Sequence, residues 1–79
     1  MKIYDPDSKR VLQNVTLCLT PQEAAELGDS ANDLSRHPEH HHHHITDSED
    51  RAEIIVAVYT DANLHSFDEE SRRVINQDS

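Results

Sequence analysis

The sequence predicts an α+β fold: a two-layer ββαββα domain with a roughly four-stranded, mainly antiparallel sheet, one main helix and a short C-terminal helix. Three observations carry this expectation. A helix-start signal stands at Thr20–Glu23, apolar residues recur at even spacing between Val11 and Leu19, and an apolar run fills residues 54–59. The chain has 79 residues, so a single domain over residues 1–79 is expected. Its apolar content is 34%, and a core that modest gains from a second subunit's surface.

The elements follow in chain order. Asp5-Pro6-Asp7-Ser8 is a turn, because Pro presets φ at the second position and Asp favours the first. Val11, Val15, Leu17 and Leu19 alternate with Asn14 and Thr16, which is the period of a half-buried strand. Met1 to Thr20 is therefore read as a hairpin that exits to a helix. At Thr20-Pro21-Gln22-Glu23 the Thr hydroxyl caps the helix, Pro opens it, and Glu reaches back to the capping residue. Ala24, Leu27, Ala31 and Leu34 form an apolar stripe, with Glu26, Asp29 and Asp33 roughly opposite. Pro38 disfavours helix at the preceding residue, so the helix ends near Arg36, and Gly28 is a candidate break within it.

Beyond Pro38 come five consecutive histidines, His40 to His44, then Ile45 and Thr46 and a polar turn at Asp47–Asp50. Ala52 to Thr60 is the strongest strand candidate. It is apolar at odd and even positions alike, which predicts a central strand covered on both faces by the terminal helix or a second subunit. A four-residue loop would set Thr46 opposite Arg51 and His44 opposite Glu53. That register places His41 and His43 with Ile54 and Val56, and His40, His42 and His44 with Glu53, Ile55 and Ala57. Ser66-Phe67-Asp68-Glu69 reads as a second capping box, opening a helix that carries Phe67, Val74 and Ile75 and ends near Asn76.

The formal charge is −9, and it is uneven: residues 21–61 hold ten acidic groups against Arg36 and Arg51. Such acidity disfavours direct binding of nucleic acid or an anionic membrane and suits a basic protein partner. Cys18 is the single cysteine, which excludes an intramolecular disulfide and a cysteine-based zinc cage. With no run resembling a signal peptide or a membrane span, a cytoplasmic location is expected. One glycine excludes a phosphate-binding glycine loop and a nucleophile elbow. His37-Pro38-Glu39 matches half of the zinc-deaminase signature, but the cysteine half is absent. The reading therefore leans away from an enzyme.

The first expectation is a small acidic protein-interaction module, homodimeric, meeting its partner through the sheet or through Glu26, Asp29 and Asp33. A related reading is a DNA-mimic inhibitor of a basic protein, against which stands the ordinary role of such a row as a solvated helix face. The alternative is a divalent-metal site for zinc, nickel or copper. On a strand, His40, His42 and His44 share a face, and imidazoles two residues apart can reach one ion. His37, His65 or Glu53 can complete the set. A solvated polar edge strand is the plain counterpart. Histidine also titrates near pH 6.5, so the run makes the acidic surface pH-dependent. Cys18 and Tyr59 are read as packing residues, and Arg72 and Arg73 as complements to the last helix.

Overall fold

A computed structural model describes residues 1–47, 49 and 51–77. Its strands are β1 (Ile3–Asp5), β2 (Arg10–Leu12), β3 (His42–Thr46) and β4 (Glu53–Ala57); its helices are α1 (Pro21–Arg36) and α2 (Glu69–Asn76). Two 3-10 turns, Pro38–His40 and Leu64–Ser66, precede β3 and α2. The ββαββα order and the α+β class are as expected. The single sheet is not: β1 pairs only with β2 and β3 only with β4, giving two separate antiparallel hairpins. The first hairpin is held by α2 instead, where Glu70 accepts from Tyr4 Oη at 2.8 Å and pairs with Lys9 Nζ at 3.3 Å, and Lys2 donates to the carbonyl of Gln77.

The expected turn after β1 forms through Asp5, whose carboxylate accepts from the Asp7 amide at 3.0 Å and the Ser8 hydroxyl at 2.8 Å. The long strand to Leu19 does not form. The β1–β2 ladder ends at Ile3↔Leu12, so the residues beyond find no pairing partner there, and Val15 and Leu17 are 51% and 47% exposed. Cys18 is exposed in this same segment, and Tyr59 lies exposed beyond β4, so neither is a packed sheet residue.

Helix α1 starts as read. Thr20 Oγ1 accepts from the Glu23 amide at 3.1 Å, and Glu23 Oε1 accepts from the Thr20 amide at 2.9 Å. It runs unbroken through Gly28 to Arg36. Of its stripe only Leu34 is fully buried; Leu27 is half-buried, while Ala24 and Ala31 are exposed. A two-stranded sheet is narrow, and it covers part of the helix rather than its whole length. Leu34, Ile45 of β3 and Val74 of α2 are the buried apolar residues among those described, and α1 packs on β3 and β4.

The β3–β4 register is His42↔Ala57, His43↔Val56, His44↔Ile55, Ile45↔Ile54 and Thr46↔Glu53. It is displaced by two residues from the expected one because the connection is longer; Ser48 and Asp50 of the expected turn lie outside the described residues. A two-residue displacement preserves which side chains share a face. Ile45, Ile54, Val56 and His43 point toward α1, and His42, His44, Ile55 and Ala57 point outward. Ile55 is 54% exposed, so β4 is covered on one face rather than both. Helix α2 is capped by Asp68, whose Oδ1 accepts from the Ser71 amide at 2.8 Å, and not by Ser66, which the preceding 3-10 turn has taken.

Candidate metal centre

Three successive backbone features bring Asp33, His40 and His43 together. Asp33 sits in the last turn of α1, and its carbonyl accepts from the His37 amide at 2.8 Å. Pro38 cannot donate to that helix, so the chain leaves it through the Pro38–His40 turn, which swings His40 back over the last helical turn. His41 then adopts a positive φ of 48° and redirects the chain into β3. Alternation along β3 turns His43 inward, toward the helix.

Both imidazoles meet one carboxylate oxygen. His40 Nδ1 lies 2.9 Å and His43 Nε2 2.6 Å from Asp33 Oδ2. A carboxylate oxygen only accepts, so each of these nitrogens carries its proton. The two hydrogen bonds, that from His40 first, hold the Asp33 carboxyl well below its ordinary range, at about 2. The same contact raises His40 above its usual value, against partial desolvation. The Asp33 side chain is 33% exposed, that of His43 38% and that of His40 50%, which leaves the cluster open to solvent on one side.

The turn beneath His40 is tied down by Asn63, the buried polar residue among those described. Its Nδ2 donates to the carbonyls of Pro38 at 2.8 Å and Val58 at 2.9 Å, and its Oδ1 accepts from the Thr60 amide at 2.7 Å. His41's carbonyl accepts from the Val58 amide at 3.0 Å, fixing the other end of the same turn. His37 stacks on His40 with ring centroids 5.2 Å apart.

The remaining histidines of the run have different partners. His42 and His44 project from the outer face of β3, and His44 Nδ1 lies 3.0 Å from Glu53 Oε2. His41 and His42 stack, with their Nδ1 atoms 2.7 Å apart. One of those nitrogens must donate and the other accept, so the pair cannot hold a proton on both. Partial desolvation first, and then the neighbouring histidine charges, lower the pKa of His42. His40 is thus separated from His42 and His44, because it precedes the strand on whose face they stand. Glu26 and Asp29 are exposed along α1, whereas Asp33 is turned into the histidine cluster.

Sequence periodicity had paired His43 with the apolar set of Ile54 and Val56. That pairing is the signal that His43 faces the helix. Nothing in the sequence identified Asp33 or Asn63 as the partners of this segment. No family model matches the chain, and no curated protein or solved structure does. Among the described residues no helix is long and apolar enough to cross a membrane.

Proposed function

We propose that this protein binds a divalent transition-metal ion through Asp33, His40 and His43. The observation that carries the reading is the convergence of one carboxylate oxygen and two imidazole nitrogens, all within 4.8 Å of one another. Donors on one tetrahedral ion stand roughly 3.3 Å apart, given metal–ligand distances of about 2.0–2.2 Å. The His40–Asp33 and His43–Asp33 distances of 2.9 and 2.6 Å need to open by only a fraction of an ångström. Two nitrogens and one oxygen favour zinc, copper or nickel over calcium or magnesium, which take oxygen ligands. Three protein ligands leave a coordination position for water or an external group. The surrounding acidity, ten carboxylates within residues 21–61, raises the local concentration of cations.

Binding must free His40 Nδ1 and His43 Nε2: a neutral ring does so by moving its proton to the opposite nitrogen, and a charged ring by releasing one proton. Affinity is therefore coupled to pH. Isothermal titration with zinc, nickel and copper tests the reading, using wild type, a His40→Ala/His43→Ala variant and a His42→Ala/His44→Ala variant. One ion per chain, lost in the first variant and kept in the second, supports it. Equal loss in both would assign binding to the histidine run as a whole and remove Asp33 from the account.

A further inference from the structure

His37 borders the metal site without a part in it. It caps the C-terminus of α1, where its amide donates to the Asp33 carbonyl at 2.8 Å. Residues four apart share a helix face, so His37 stands one turn beyond Asp33 on the same side. Its ring stacks on that of His40, with centroids 5.2 Å apart. Two imidazoles bound to one tetrahedral ion at about 2.0–2.1 Å also hold their centroids about 5.2 Å apart. The ring spacing is therefore that of two ligands, although the His37 nitrogens stand outside the cluster of Asp33, His40 and His43. The tautomer is set as well. His37 Nδ1 lies 3.3 Å from Glu39 Oε1, which only accepts, so Nδ1 carries a proton and a neutral ring offers its lone pair at Nε2. Histidine ligands are commonly fixed in this way, with the second ring nitrogen donated to a carboxylate. His40 and His43, by contrast, must first free the nitrogens that face Asp33.

We propose, as an extension that rests on the three-residue site, that His37 Nε2 is the fourth ligand of the ion and that Glu39 orients its ring. The His37 side chain is 53% exposed and that of Glu39 65%, so the pair turns toward the ion without displacing packed residues. The coordination position otherwise open to water is then filled by the chain itself. Four protein ligands in a closed tetrahedral set make a structural ion, and zinc is the metal that this geometry suits. Such an ion joins the end of α1, the Pro38–His40 turn and β3 at one point, in a chain whose buried apolar core is small. Its role is that of a staple for a small domain.

Zinc titrations followed by imidazole NMR and by calorimetry test this in wild type, His37→Ala, His37→Phe and Glu39→Gln. His37→Phe keeps a ring against His40 but has no nitrogen to offer, which separates ligation from stacking. In wild type the Nε2 resonance of His37 should move to a metal-bound position at the same single equivalent of zinc as His40 and His43. Both His37 variants should still take one ion, at least about tenfold more weakly, and Glu39→Gln should bind about tenfold more weakly, the effect of losing a supporting carboxylate. Zinc that shifts His40 and His43 but leaves His37 in place overturns the fourth ligand and keeps the three-residue site, as does wild-type affinity in His37→Phe. Zinc that shifts none of the three rings removes both.

Discussion

The two faces of β3 carry the same residue type with different partners. The inward-facing His43, with His40 from the turn before the strand, reaches a single carboxylate, Asp33, that both can share. On the outer face His42 leans on His41, where partial desolvation and then histidine charge lower its pKa, while His44 has a carboxylate of its own, Glu53. Composition is therefore a poor guide to what a histidine run does. The chemistry is set by which residues the helix delivers to each face, and only α1 delivers one that is half-buried and already doubly engaged.

Substitutions that break the comparison have the largest expected effect. Asp33→Ala removes the shared oxygen and should weaken metal binding by about 100-fold or more, since loss of a supporting partner alone typically costs 10–100-fold. His42→Ala/His44→Ala should change it by less than about threefold, because neither ring meets Asp33; titration calorimetry separates the two. Lowering the pH sharpens the same contrast. Below the raised pKa of His40, each further pH unit should weaken zinc binding by about tenfold per proton released, as protons reclaim the ligand nitrogens.

Next in size is the turn that holds His40 in place. Asn63→Ala leaves the Pro38 and Val58 carbonyls without their donor and should cost about 1–3 kcal/mol in chemical denaturation. It should loosen His40 while leaving the outer His44–Glu53 contact intact, as imidazole NMR would report.

The smallest expected effects are those of pH on the stability of the metal-free protein, and they carry opposite signs on the two faces. His40 titrates above its ordinary 6.5 in the folded state, so its contribution is full below about pH 6.5 and is lost as pH rises through the raised value. His42 titrates below its ordinary 6.5, so its contribution is present above that pH and is lost as pH falls through the lowered value. Asp33, held at about 2 against an ordinary 3.8, contributes above pH 3.8 and loses that contribution as pH falls toward 2. Thermal melts across pH should show that His40→Ala flattens the alkaline limb and His42→Ala the mildly acidic one.

Local chemistry made much of the fold legible in the sequence. The Thr20 capping box and the stop before Pro38 define α1, and the Asp5 turn is set by side chains within three residues of it. The period of β3 and β4 also separated His43 from His42 and His44, but not His40 and His41, which precede the strand. What sequence could not supply was long-range competition. Val15 to Leu19 has the pattern of a strand, but a three-residue β1 offers it no partner. Residues 54–59 look covered on both faces, but a two-stranded sheet with a single helix covers one. Asp33 reads as part of a solvated acidic row with Glu26 and Asp29. It stands about 100° around the helix from the fully buried Leu34, at the border where the returning turn and β3 meet it.

The most direct test of the metal site is a zinc titration followed by NMR of the seven imidazole rings. At one equivalent of zinc, the Nδ1 resonance of His40 and the Nε2 resonance of His43 should move to metal-bound positions, with His42, His44 and His65 unchanged. Equal, graded shifts across His40 to His44, unaltered in Asp33→Ala, would contradict the assignment.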